Sequence, residues 1–265
     1  MPEFRAPPLT RDFKHFDPAA YLREYYGDVG AENLALLRFM SETYRGLPRG
    51  GRLLDFGGGP TIYPLISAVG RVDEVHFSDY LPANLEEVRR WLSKHPAAFD
   101  WRDFVRQAIE LETEAPCTEA EVTEREDRIR GLVTQVMRCD ASRTPPIDGA
   151  IRPYEVVVTN FCAESATSDR HQWRAFVVNI VSLLKPGGVL IMSALKGAGS
   201  YAVGSRRFPA VDISEDDLIE LLEETGFRNK KIELRSVPAD RPSRDYDGLI
   251  MAVARKENAA GSGAP

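Results

Sequence analysis

Cysteine is scarce in this chain: three residues in 265, Cys117, Cys139 and Cys162, with no C-x-x-C pair among them. That excludes a disulfide framework and a zinc ribbon. Histidine is equally sparse, and the four residues present, His15, His76, His95 and His171, lack metal-ligand spacing, so no metal is expected. No apolar run reaches membrane-spanning length and no signal peptide opens the chain, so a soluble, cytoplasmic protein with no membrane partner is expected. A basic surplus is also missing: 34 Lys and Arg against 40 Asp and Glu leave a net charge of −6. Nucleic acid is therefore a poor partner, because neutralising phosphates takes a Lys/Arg stripe. A small-molecule substrate, neutral or cationic, fits better. No Pro/Gly/Ser-rich linker separates comparable halves, so residues 1–265 are expected to form one elaborated domain, with a monomer as the default.

The most informative stretch is LLDFGGGPTIY, Leu53 to Tyr63. Leu53 and Leu54 suit a buried strand with Asp55 at its carboxyl end. Gly57, Gly58 and Gly59 let the backbone bend and approach a ligand, ahead of a predicted helix. An ordinary strand-to-helix turn would use glycine in the same way, so the run needs company. It has some. Asp79 closes a second apolar segment, VHFSDY, near the spacing of about 20 residues at which an acid meets a cofactor ribose. The third glycine of a dinucleotide fingerprint would fall at Ile62, and Pro60 and Thr61 crowd the turn where a pyrophosphate needs free N–H groups. A nucleoside without phosphates, such as S-adenosylmethionine (SAM), fits better than NAD. YEVVVTNFCAES then supplies a buried parallel strand around Val156, Val157 and Val158, and LLKPGGVLIM a helix end, a turn and the next strand. Asp140, in MRCDAS, is either a solvated turn residue or, after a third strand of a SAM fold, the acceptor of an adenine amino group.

FDPAAYLREYYG predicts a short helix with Asp17 as N-cap, Pro18 at its first position and Gly27 as stop, after a loose Pro-rich dozen residues. Tyr21 and Tyr25, and Leu22 and Tyr26, lie four apart on related faces. A second helix is expected from about Ala31 to Tyr44, and a third over ANLEEVRRWLSK, with Asn84 near its start. Residues 96–138 read as a mainly helical insertion packed on the sheet, since Ile129, Leu132, Val133, Val136 and Met137 recur at helical spacing. Glu119, Glu121, Glu124, Glu126 and Asp127 read as a solvated acidic face. ISEDDLIELLEETGF carries a Ser214/Asp217 capping box and a Gly226 stop. IELRSV and GLIMAVARK are strands, and residues 257–265 a disordered tail.

These residues resemble the nicotinamide, phenylethanolamine and indolethylamine N-methyltransferase family. The likeness rests on FDPAAYLREYYG, DFGGGPTIYPLISA, SDYLPANLEEVRRWL, AAFDW, CDAS, SLLKPGGVLIMSALK, YAVG and GLIMAVARK, an ordered series from about Phe16 to Lys256. The resemblance implies an α/β, Rossmann-like, seven-stranded, mostly parallel sheet with helices on both faces and an N-terminal helical lid over residues 12–48. It also implies SAM as cofactor, held by Tyr21, Tyr26, Gly57, Gly58, Gly59, Thr61, Tyr63, Asp79, Tyr80, Asn84, Asp140, Ala141 and Asn160. Aromatic faces beside a sulfonium are worth about 0.5–2 kcal/mol. The sequence departs from the family at Ser193, where amine-methylating members carry an acid that holds the acceptor. A neutral acceptor, such as a heteroaromatic nitrogen, an indole or a phenol, gains by that change. Glu164, Asp245 and Asp247 remain as acids near the acceptor. Glu164 or Asp247 is expected to orient or deprotonate it, with Tyr21, Tyr26 and Tyr201 closing over it and Ser193 in the substrate wall. The expected reaction is N-methylation of a small aromatic or heteroaromatic compound, with C- or O-methylation next and a non-catalytic SAM-binding protein as the rival of another class.

Overall fold

The computed structural model describes residues 7–149, 152–241 and 245–258. Two helices, α1 (Pro18–Tyr26) and α2 (Gly30–Gly46), precede strand β1 (Arg52–Phe56). Next come β2 (Glu74–Asp79), α3 (Pro82–Leu92), α4 (Arg102–Thr113), α5 (Glu119–Leu132), β3 (Val133–Arg138) and β4 (Tyr154–Asn160). The chain continues with α6 (Arg170–Ser182), β5 (Leu184–Lys196), β6 (Ser200–Val203), β7 (Arg206–Pro209), α7 (Glu215–Glu224), β8 (Phe227–Pro238) and β9 (Gly248–Lys256).

Seven strands form one sheet in the order β3-β2-β1-β4-β5-β9-β8, and β6 and β7 form a separate hairpin. Only β9 runs against its neighbours. From β1 the chain winds outward through β2 and β3, then returns to place β4 on the other side of β1. Strand order reverses there, and ligands of open α/β sheets bind outside the carboxyl ends at that switch point. Both faces are covered, as the uninterrupted apolar strands require. Leu53, Val156, Val158 and Ile191 face one core; Leu54, Val157, Leu190 and Met192 alternate into the other.

Local signals set the helix starts. The Asp17 carboxylate accepts from the Ala19 and Ala20 amides, and both partners of the Ser214/Asp217 capping box are engaged. Thr118 and Glu121 form a further box at the start of α5.

Five expectations need correction. The helical periodicity in the insertion ends at Leu132: Val133 to Arg138 are β3, an edge strand whose β-branched residues pair in parallel with β2. The insertion helices pack on α2 and on the 3-10 turn Tyr63–Ala68 rather than flat on the sheet. That turn, moreover, is all that follows the glycine loop where a helix is expected. The acidic run is not a plain solvated face, because Glu126 is buried against Arg102 and Arg130, and Glu119 bridges Arg102 and Arg106. Finally, residues 7–16 are not loose. The Thr10 amide donates to the Arg207 carbonyl and the Arg207 amide to the Pro8 carbonyl, so the segment straps onto β7. Most of the expected disordered tail, residues 259–265, lies outside the described residues. Among the described residues no helix is long and apolar enough to cross a membrane.

Candidate active site

Outside the carboxyl ends of β1, β2 and β4 lies a cavity of about 410 Å³. The glycine loop forms its floor, and β2 fixes that loop. The Gly57 and Gly58 amides both donate to the Ser78 carbonyl, at 2.9 and 3.1 Å. The Gly59 amide donates to Asp79 Oδ2 at 2.9 Å. All three loop amides are thus used internally, which leaves no nest of free N–H groups for a pyrophosphate. Thr61 Oγ1 closes the turn by donating to the Gly58 carbonyl at 2.7 Å.

Glycine is required here for space as well as angle. Gly57 has φ +68°, and a Cβ there would lie 2.2 Å from Cys162 Sγ; Gly59 has φ +64° with nothing within 4 Å of a Cβ. Gly57→Ala is therefore expected to lose roughly 2–4 kcal/mol of stability, strain plus overpacking, against about 1 kcal/mol for Gly59→Ala. Urea midpoints of the two variants check this. Equal losses would mean that backbone strain alone decides.

Asp79 organises the wall beside the loop. Besides Gly59, its carboxylate accepts from the Leu81 amide at 2.7 Å and Asn84 Nδ2 at 3.0 Å. Its carbonyl accepts from the Cys139 amide at 3.0 Å, which ties the end of β2 to the Asp140 turn. Burial pushes the Asp79 carboxyl up, and the three donors pull it back. Asp55, under the loop, has no such donors: it is 0 % exposed, and neither carboxylate oxygen has a hydrogen-bond partner. Burial first, then the charge of Asp79, raises it well above the usual carboxylate range.

Aromatic rings make the roof. Tyr26 stacks on Tyr63 at 5.5 Å and meets Trp101 at 5.4 Å; Tyr21 lies 5.2 Å from Phe16 and 5.0 Å from Tyr25. Across the cavity Tyr201 stacks on Phe208 at 5.7 Å, and Phe208 also meets Phe13 of the strap. The Tyr25 hydroxyl donates to the Ala202 carbonyl at 2.8 Å, which pins α1 to the hairpin. Burial raises Tyr21, Tyr26, Tyr63 and Tyr201 well above the ordinary phenol, so these rings stay neutral.

All thirteen cofactor residues named from the sequence line this one cavity, and Tyr201 lines it as well. The acceptor residues are brought together less completely. Glu164 lies directly behind the lining residue Ser165, fully buried, with Oε1 accepting from the Leu195 amide at 3.2 Å and Ser165 Oγ at 3.1 Å. Its Oε2 is buried without a hydrogen bond, and burial pushes the carboxyl up to about 7. Ser193 sits beneath the lining, paired in register with Asn160, its hydroxyl buried. Asp247 does not reach the cavity: it is exposed, and its carboxylate would collide with a Cβ on Gly197. Its neighbour Tyr246, in the same bend before β9, is the one that lines the cavity. Asp245 is exposed too, paired with Arg207 at 3.2 Å.

Sequence reasoning missed the partner of Tyr246. Its hydroxyl donates at 2.9 Å to Oε2 of Glu32, a buried acid of α2 that also lines the cavity. An acid in a helix's first turn reads as a dipole partner, so no signal distinguished it.

The residues fit SAM. Asn160 presents an amide whose oxygen and nitrogen are both buried and unpartnered at the cavity wall, the bend is open above Gly59, and no anion nest competes. The sequence signature of the NNMT/PNMT/TEMT family matches residues 9–257. The chain belongs to this family. Members similar to it include indolethylamine N-methyltransferase of Mus musculus, 34% identical over 92% of this chain and 94% of the relative. Another is nicotinamide N-methyltransferase of Homo sapiens, 32% identical over 91% and 93%. A SAM-dependent methyltransferase from Methanosarcina mazei shares the fold, with a TM-score of 0.56 at 15% identity, over 82% of this chain and 98% of the other. This NNMT/PNMT/TEMT protein is a SAM-dependent methyltransferase.

Proposed function

We propose that the protein N-methylates a small, neutral aromatic or heteroaromatic compound. When bound, SAM supplies an electrophilic methyl group carried on a sulfonium. Asp79, the Asp140 turn and Asn160 hold its polar parts; Tyr21, Tyr26 and Tyr63 offer neutral rings to the cation and keep water out. The observation that carries the reading is a buried carboxylate oxygen without a hydrogen bond, Glu164 Oε2, on the residue next to the lining residue Ser165. Tyr21, Tyr63 and Tyr201 all lie within its electrostatic reach. A flat acceptor between Tyr21 and Tyr201 would direct an N–H at Glu164, and alignment then does most of the work. Because Glu164 titrates near neutrality, it accepts a proton from an acceptor that must lose one. Tyr21 and Tyr201 position; Glu164 is the proposed base.

Serine at 193 favours the neutral acceptor and keeps methylation of an indole carbon or a phenol as the second reading. Incubation with SAM and a panel of pyridines, indoles, phenols and arylamines, read by mass spectrometry, tests this. One methyl added to a ring nitrogen of a neutral compound is the expected result. Transfer only to protonated aliphatic amines would overturn the neutral-acceptor reading. Tight SAM binding with no transfer to any compound would make the chain a non-catalytic binder.

A further inference from the structure

At the opposite end of β1 from the glycine loop lies a second cavity, of about 310 Å³. It is walled by the last turn of α2, the turn before β2, and the facing sides of α4 and α5. Its character is the reverse of the chain's. In a protein of net charge −6, four arginines from three segments, Arg45 and Arg49 at the end of α2, Arg71 and Arg128, line this one space. None of the four side chains makes a hydrogen bond or ion pair among the described residues. Their neighbours do: Arg102, Arg106, Arg125 and Arg130 are all tied to carboxylates.

Two hydroxyls face the same space. Ser41 and Ser67 line it, are only 4 % and 6 % exposed, and their Oγ atoms are buried without a hydrogen-bond partner. The one acid in the lining, Glu112, has Oε2 on Arg125 at 2.8 Å and Oε1 buried without a partner. Cations at a helix C-terminus complement its dipole, which accounts for Arg45 and Arg49. It does not account for Arg71 and Arg128, which come from a loop and from the body of α5.

We infer that this cavity binds the phosphate group of a small phosphorylated compound. Guanidinium forks match phosphate oxygens in pairs, and buried hydroxyls complete the donor set. Glu112 Oε1 accepts from a hydroxyl beside the phosphate, which favours a phosphomonoester of a polyol over inorganic phosphate. The phosphate could arrive on a soluble metabolite or on a lipid headgroup. The site is separate from the methyl-transfer cavity, so the inference stands or falls independently of the proposed acceptor.

Calorimetry on the full chain tests it with three probes: inorganic phosphate, glycerol 3-phosphate, and phosphatidylcholine vesicles containing phosphatidic acid. One glycerol 3-phosphate per chain is expected, bound more tightly than inorganic phosphate. Arg71→Gln/Arg128→Gln should weaken it about tenfold or more, and Ser67→Ala by a smaller factor. S-adenosylhomocysteine binding, unchanged in all variants, shows that the fold survives. Binding of the vesicles in preference to the soluble ester supports the anion site and assigns its source to a membrane. Absence of binding by all three probes at low ionic strength, or full affinity in the double variant, would overturn the inference.

Discussion

Asp79→Ala is expected to weaken SAM and S-adenosylhomocysteine at least about a hundredfold, close to 3 kcal/mol of binding, and to lower stability by roughly 2–4 kcal/mol. One carboxylate satisfies the Gly59 amide, the Leu81 amide and Asn84 Nδ2. Hydrogen bonds to a charged group are worth about 1.5–3 kcal/mol each, and buried donors left without an acceptor cost about as much again. The loop would then lose its hold at Gly59 and the start of α3 its hold at Leu81. Asp79→Asn keeps the shape but turns an amide NH₂ toward donors, so it should fall between wild type and Ala. Titration calorimetry and thermal unfolding read both effects. Undiminished affinity in Asp79→Ala would show that the loop is held without it.

The second large effect concerns Glu164. With its carboxyl near 7, turnover in the wild type should rise as pH passes through neutrality and the acid ionises. Glu164→Gln should lose that rise and about 10²-fold or more in kcat, while affinity for S-adenosylhomocysteine stays the same. Stability should move in the opposite direction. The folded value lies above the ordinary 4.5, so the folded chain holds this proton more tightly than the unfolded chain does. The stabilisation is complete below about 4.5 and lost as pH rises through about 7, roughly 3 kcal/mol at most. Glu164→Gln should therefore gain stability relative to wild type between pH 5 and pH 8, as denaturant midpoints at both values would show. A kcat profile unchanged by the substitution would remove Glu164 as base, whatever the stability curves do.

The residues expected around the cofactor were legible because each lies where the sequence puts it. Asp79 ends β2, Asp55 stands one residue before the end of β1, the glycines make a bend that neighbouring backbone fixes, and Asn160 ends β4 beside them. Periodicity and spacing report such positions directly. The acceptor half depends on contacts between distant segments. Glu32 and Tyr246 meet across 214 positions of sequence, and nothing local to either announces the other. Asp247 lies one residue from Tyr246 but outside the cavity, and the bends of this charged connection carry no hydrophobic period that tells which residue turns inward. In the insertion, Val133, Val136 and Met137 are compatible with helix or strand, and the open edge of β2 decides between them. The tyrosines of α1 are a different case, since their spacing fits core packing as well as a roof. The family likeness, rather than the spacing, pointed to the cavity.

The strap over residues 7–16 bears on how an acceptor enters and leaves. An acceptor that enters beneath Phe13 and Phe16 has to break both main-chain hydrogen bonds to Arg207 and the Tyr25 tether to Ala202, and the methylated compound leaves by undoing them again. Opening of this kind belongs to the microsecond-to-millisecond range. That allows about 10³ openings per second or more, above a typical kcat of about 10 s⁻¹, so the clasp shields the transfer from water without holding back the cycle.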